Sequence, residues 1–572
     1  MKRLLTAALS LLLLSRTCGA TAAEIIPAGR LADWRPGVTV GVPGGIPTDR
    51  KNLIDVTKAP YNADNSGAAD AEPAIMKAIA AAKDRDVVHL PAGKYRIDKP
   101  IYTGNKGRIT IRGAGPDKTL ILPHAPCNCA INIGSGGADW WYPQRLRLDI
   151  TGSAKRGASV LTFADTKALD QHRNGGIGEP CQVSLKNDPA LPVVAPVHFE
   201  YLRKQVTRIV AKTRTTVTIS PALLFDLPQS LSPRLAPAGL YAESVGIEDL
   251  GVDGTNAGMA GIKLDTGYGC WLKNVTVRNV TNYHIWVSDS LQCEVRHCCI
   301  STRRGAGTNG AGFLVGSSSF CLFEDNILAE QFPHVEVNLS SGNVFAYNFC
   351  YDSTIFGSLG CSIDSNHGGH GSFNLYEGNY AANLQCDGYH GSASDDTVFR
   401  NWFTGVSPGA KGHWTLCLNR FTRNYSLVGN VLGFKGVSPG GYSFGNPNMG
   451  NGEHTGTAQP SQGKYWADWE KMLASELGKG PGPSGFQELD LDVEATTFRK
   501  GNFHYKDNGV PADESLGGAA LPKSLYLKER PAWFGDLKWP PFGPDADFEN
   551  NKIPAQVRFE AMEKMGSVPG KK

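Results

Sequence analysis

Leu322-Phe-Glu-Asp-Asn-Ile-Leu328, Val344-Phe-Ala-Tyr-Asn-Phe349 and Leu375-Tyr-Glu-Gly-Asn-Tyr380 are variants of one phrase, in which apolar and polar residues alternate around an asparagine. Five further segments align with them: 245–252, 271–277, 294–300, 398–403 and 426–431. One aligned position then reads Leu250, Val275, Cys298, Asn326, Asn348, Asn379, Trp402 and Asn430, in steps of 25, 23, 28, 22, 31, 23 and 28 residues. A period near 22 with larger insertions is too short for arrays of helical hairpins. The segments are β-branched or aromatic, alternate in polarity and end in Gly or Asn, so they read as strands. One short strand cannot bury its inner face alone, so successive coils must stack. The expected architecture is an all-β parallel β-helix solenoid. The recurring Asn suits an internal ladder, because its amide can bond to the same residue one coil above and below.

Bulk composition agrees. Of 572 residues, 41% are hydrophobic and 19% charged, with 67 Gly and 35 Pro, which suits a turn-rich β protein. The net charge of +3 does not decide for or against an acidic ligand, since a local groove can differ from the average. Lys2 and Arg3 precede an apolar run from Leu4 to Leu14, and small residues follow from Gly19 to Ala23. This is the pattern of a secretory signal cleaved near Ala22 or Ala23. Ser-Arg-Thr before Cys18 lacks the small-residue approach of a lipoprotein site. No other stretch reaches membrane-spanning length. A secreted or periplasmic protein is therefore expected. Its remaining twelve cysteines are either disulfides, as export would allow, or buried thiols acting as small apolar residues. Cys270, Cys293 and Cys321 each lie five positions before the ladder and should form one column.

The expected organisation is a signal peptide (1–23), an N-terminal cap with the first coils (24–126), elaborated early coils with strand insertions (127–244), regular coils (245–450) and an irregular aromatic, Pro-rich tail (451–572). Within the cap, an alanine-rich helix from Ala71 to Lys83 is followed by Val87-Val-His-Leu-Pro-Ala-Gly-Lys-Tyr-Arg-Ile97 and Ile109-Thr-Ile-Arg-Gly-Ala-Gly115. That order resembles the start of the pectate lyase superfamily, in its rhamnogalacturonase- and epimerase-like branch. The resemblance implies a right-handed, single-stranded parallel β-helix with an N-terminal capping helix and an extended C-terminal tail. It carries fold and not reaction, since lyases, hydrolases, epimerases and phage tailspikes share it. Neither the Arg-x-Pro-x-x-Arg of pectate lyases nor the ordered Asp set of polygalacturonases is present. No catalytic residue transfers.

The alternation of side chains locates candidate chemistry. Ile262 and Leu264, Ile285 and Val287, Phe313 and Val315, and Val335 and Val337 should point inward, so the residue between each pair points outward. The outer column then reads Lys263, Trp286, Leu314, Glu336, His367, His390 and Leu418. Two positions on lie Asn338, Gly369, Ser392 and Arg420; three earlier lie Asp364 and Asp387. For His367 a second register is open, with Cys361 and Ile363 inward and the histidine on a loop over the same face. Five of the thirteen histidines, His334, His367, His370, His390 and His413, cluster here beside acids in Gly-rich segments. His334 follows a proline and reads as a turn residue. Imidazoles titrate near neutrality and can move protons.

These residues point to a polysaccharide-active enzyme. The first expectation is β-elimination at a uronic acid, with His390 or His367 as base and Arg420 and Asn338 neutralising the carboxylate. Hydrolysis by Asp364 or Asp387 with Glu336 is the alternative, and C5-epimerisation shares the first step of elimination. A glycan-binding or adhesive surface protein is the non-catalytic option. Trp286, Lys263, Asp364, Asn338 and Ser392 are candidate substrate contacts. A divalent metal on His367, His390 and Glu336 is a further option, and no other cofactor is indicated. The expected partner is a polysaccharide, with no nucleic acid and no membrane insertion; the sequence sets no oligomeric state.

Overall fold

The repeated segments become the rungs of a parallel β-solenoid of about 13 turns. A computed structural model describes residues 25–565, apart from 126, 135–145, 192–199, 257–259, 305–309, 356–357, 388–390, 409, 412–413, 437–439 and 446–489. The signal sequence and a helix expected at 464–477 lie outside the described residues. Two walls run the length of the stack. The first, of 22 strands, holds the repeat itself; the second, of ten strands, runs from Ile101–Gly104 to Gly440–Phe444. The capping helix spans Glu72–Ala81 and buries Ile75, Ala78 and Ile79 on the first coils.

The interior is built by vertical stacking of like on like. Phe323 lies 4.8 Å from Phe345 and Phe345 5.1 Å from Tyr376, each pair nearly parallel at 8°, a spacing equal to that between neighbouring strands. Beside the rings runs the asparagine ladder. Asn326 Nδ2 donates to Asn348 Oδ1 (2.9 Å), Asn348 to Asn379 (3.0 Å), Asn379 to Asn401 (2.9 Å), Asn401 to Asn430 (3.0 Å) and Asn430 to Asn502 (2.9 Å). The last amide donates to Glu514 Oε2 at 2.7 Å. A second ladder stands five positions earlier, where Asn374 Oδ1 accepts from Asn343 Nδ2 (3.0 Å) and Asn374 Nδ2 reaches Asp396 Oδ1 (3.3 Å). Every amide is satisfied in a dry interior, where an unpaired one would cost about 1–3 kcal/mol.

Two expectations about the coils need correction. The ladder residue of the seventh segment is Asn401, not Trp402, because Trp402 pairs with Tyr380 and Val431 and so sits one place on. A one-residue slip turns every side chain to the other face. Trp402 accordingly packs outside the coil, 5.7 Å from Phe542 and 5.5 Å from Phe548 of the tail. The coils also do not stop near 450. Phe498–Lys500 and Phe503–His504 add a further rung on Ser426–Val428 and Val431–Leu432.

Cys270, Cys293 and Cys321 do stack in register, and all twelve cysteines from Cys127 to Cys417 are free thiols. Residues between 148 and 237 form a six-stranded antiparallel sheet. Its apolar face shares a second core with the outside of the first wall and with the tail, through Leu235, Phe320 and Phe534 among others. Arg400, 1% exposed, bonds Asp545 through both terminal nitrogens (2.7 and 2.8 Å), and Arg558 of the helix Pro554–Lys564 bonds Asp325 (2.7 Å). The tail thus covers the outside of the first wall.

Candidate functional site

The second wall carries the acids. Its inward pairs are as the alternation requires, with Ile262, Leu264, Ile285, Val287, Phe313, Val315, Val335 and Val337 all in the interior core. Its outer column follows the expected Lys263, Trp286, Leu314 and Glu336, then departs. Glu336 pairs with Asp364, Asp364 with Gln385 and Gln385 with Cys417. His367 is therefore not in the column, and Leu418 points inward with no exposure. His390 and His413 lie outside the described residues.

The cause is a bulge. Glu336 and Asn338 are two apart, while their partners Asp364 and Gly368 are four apart, so the strand Ile363–Gly368 carries two extra residues. Bulges of this kind re-aim side chains. Here it lifts His367 off the sheet, over the face that Asp364 occupies. Gly368 closes the bulge against its neighbour; a Cβ there would stand 2.8 Å from Asn338 Oδ1 and 3.1 Å from Asn338 Cα. Any side chain would push the strands apart.

The bulge brings five of the expected residues together. His367 Nδ1 lies 2.7 Å from Asp387 Oδ2 and 3.8 Å from Asp364 Oδ2. Asn338 Nδ2 donates to Glu336 Oε1 at 2.9 Å. Asp364, Asp387 and Glu336 are each less than a tenth exposed, whereas the His367 side chain is 34% exposed. Burial, then the charge of Asp387, pushes the Asp364 carboxyl well above the usual carboxylate range. Burial opposes a charged imidazole, but Asp387, Glu336 and Asp364 outweigh it and raise His367 to about 10. At neutral pH His367 is a cation, and the raised proton affinity of Asp364 favours its acid form. The Asp364, His367 and Asp387 ligand atoms lie within 4.8 Å of one another, a donor set of two carboxylates and an imidazole that fits a transition-metal ion better than the six to eight oxygens of calcium.

Arg420 is 7% exposed at the end of the next coil, its guanidinium 5.6 Å from the Phe421 ring; the neighbouring Asn419 donates to the Asp387 carbonyl at 3.2 Å. Ser392 is fully buried, its hydroxyl 3.4 Å from His370 Nδ1, so it lies behind the face and not on it. Burial holds His370 down at about 3. His334 lies in the bend before the strand Val335–Asn338 and is buried there, with Nε2 3.0 Å from the Tyr351 carbonyl; His284 does the same at Ser301. Lys263 Nζ lies 4.4 Å from the Trp286 ring centroid and 3.0 Å from Asp265 Oδ2. Of the two registers open for His367, the second holds in that Ile363 points inward and the histidine lies over the face, which sets Asp364 beside Glu336.

Residues 55–126 match the family model described as rhamnogalacturonase A/epimerase, pectate lyase-like. No curated protein matches the chain. Among solved structures, the tailspike protein gp49 of Pseudomonas phage LKA1 superposes with a TM-score of 0.50 at 13% identity, over 66% of this chain and 64% of that one. The fold is a pectate lyase-like parallel β-helix. The tailspike gp61 of Pseudomonas phage phi297 gives 0.47 at 15% identity, over 69% of this chain and 65% of that one. A mannuronic acid specific polysaccharide family 6 lyase from human gut microbiota gives 0.35 at 12%, over 69% and 77%. The chain spans a little under two thirds of the length of the two tailspikes. Among the described residues no helix is long and apolar enough to cross a membrane.

Proposed function

We propose that this is an exported polysaccharide-cleaving enzyme, and that it hydrolyses a glycosidic bond at the Glu336–Asp364–Asp387 cluster. One observation carries the reading: the buried Asp364 and Asp387 converge on one imidazole, His367, at 3.8 and 2.7 Å, a crowding that raises the proton affinity of Asp364. A carboxyl whose proton affinity is raised beside a second carboxylate suits the acid of an acid-and-base pair. Asp364 delivers a proton to the leaving oxygen. Glu336, one coil away and oriented by Asn338, is the second carboxylate that cleavage needs. Asp387 raises the proton affinity of Asp364, and His367 holds Asp387 in place. Export rests on the N-terminal Lys2–Ala23 pattern.

Hydrolysis fits this charge state better than proton abstraction by His367, whose ring is already protonated. A second reading follows from the ligand set. A divalent ion on Asp364, His367 and Asp387 would neutralise a uronate carboxylate and so favour β-elimination, with Arg420 as an added donor. Incubation with uronate and neutral polysaccharides separates the two. New reducing ends without ultraviolet absorbance mean hydrolysis, and the product's anomeric configuration tells whether Glu336 attacks the sugar or activates water. New absorbance from an unsaturated product, abolished by chelators, means metal-assisted elimination. Binding without cleavage of any polymer would overturn both.

A further inference from the structure

The outer column of the second wall continues away from the acids towards the N-terminal coils. Beyond Leu314 come Trp286, Lys263, Asn132 and Tyr102, paired in register strand by strand. Their environment differs from that of an ordinary solvated face. Tyr102 is 38% exposed in an otherwise well-packed strand. Asn132, between the buried Ile131 and Ile133, is only 5% exposed, and its Oδ1 has no hydrogen-bond partner among the described residues. A buried acceptor left open is uncommon and calls for a donor from elsewhere. Trp286 is partly exposed and held from two sides, by the Lys263 ammonium and by the edge of Tyr283 at 5.3 Å. Both flexible neighbours are thereby fixed, so the indole is presented as a rigid surface.

Resting on the reading of the acidic cluster as a cleavage site, we infer that Tyr102, Asn132, Lys263 and Trp286 form a track for the uncleaved part of the polysaccharide. The polymer lies along the solenoid axis, its sugars stacking on the indole and then on the phenol. The open Asn132 Oδ1 accepts a sugar hydroxyl. Coils advance by ~4.8 Å, close to one extended pyranose per coil, and Trp286 stands two coils from Glu336. The Lys263 charge is already met by Asp265, so the track reads sugar faces and hydroxyls and does not select for charge. The ligand class is a linear polymer long enough to reach from Asp364 past Trp286, cut within the chain.

The test uses oligosaccharides of two to eight sugars from polygalacturonate, alginate and xylan, with the full-length protein and its Trp286→Ala and Tyr102→Ala variants. For a cleaved series, kcat/KM of the parent should climb with each sugar that reaches the track. In either variant that gain should shrink by roughly tenfold, the worth of one aromatic contact, while melting temperature holds. Parent cleavage with an unchanged length dependence in both variants would overturn the track and leave the cleavage site standing. Calorimetric binding of the longer oligosaccharides that weakens in the variants, without cleavage of any series, would support the track and overturn the enzyme. No binding and no cleavage would overturn both.

Discussion

Both walls of the solenoid bury acids on their outer faces, but they do so in opposite ways. Under the tail, Glu324 accepts from the Tyr526 hydroxyl (2.6 Å) and pairs with Arg296 (2.8 Å); Glu377 accepts from the Tyr347 hydroxyl (3.0 Å) and the Leu525 N–H (2.9 Å). Each of these acids meets donors from the preceding coil and from the tail, and the strand register there is unbroken. On the second wall Asp364 and Asp387 share one imidazole, with Glu336 beside Asp364 in register at the bulge. A buried acid with a full set of donors holds structure together. Acids that crowd each other are kept only at a cost in stability, and such crowding gathers where chemistry is done.

That contrast can be broken most sharply at Asp364. Asp364→Asn should lower turnover by roughly 10²–10⁴-fold with the melting temperature unchanged, whereas Glu377→Gln should leave turnover alone. Equal activity loss in both, measured on the same polymer, would erase the distinction. Because the active form of Asp364 is protonated and its affinity for protons is raised, turnover should fall as pH rises through that raised value. A pH–rate profile that falls only on the acid side would instead point to a base.

Inside the coils the expected effect is smaller. Asn348→Leu leaves the amides of Asn326 and Asn379 without their partner, at about 1–3 kcal/mol, read from the denaturation midpoint. A change that depends on pH is expected at the end of the second ladder. Burial, only partly offset by hydrogen bonds from Asn374 and Tyr425, raises Asp396 to about 8. The folded state therefore holds that proton more tightly than the unfolded chain. Its contribution is complete below about pH 4 and drains away as pH climbs towards 8. Asp396→Asn should flatten the dependence of melting temperature on pH across that window. An unchanged slope would show that Asp396 ionises freely.

Most of the first wall was legible because it is made of local signals. The alternation, the asparagines and the 22-residue step recur whatever the insertions between them. The spacing carries the signal for the seventh coil: Asn379 to Asn401 is 22 residues, as is Asn326 to Asn348, so the amide and not Trp402 continues the row. The bulge at Asp364 was less visible. Two extra residues in a Gly-rich segment look like a loop, and only pairing with Glu336 and Asn338 shows that the strand resumes. The tail rung was hidden by distance, since Asn502 follows Asn430 by 72 residues. Contacts such as Tyr526 with Glu324, 202 residues apart, leave no periodic trace.

The asparagine ladder also has a direction. From Asn326 to Asn430 one side-chain N–H of each amide donates to the next amide of the row and the other to a backbone carbonyl of the coil before, so every side-chain carbonyl faces back along the row. Six amide dipoles in line add, as peptide dipoles do in a helix, leaving a partial positive charge at the C-terminal end of the row. Glu514 stands at that end, 2% exposed and accepting the last N–H. The shorter row from Asn343 through Asn374 points the same way and also ends on a carboxylate, Asp396. The stack is thus an electrostatic vector with an acid at its head, and a coil could not be turned end for end without setting carbonyl against carbonyl.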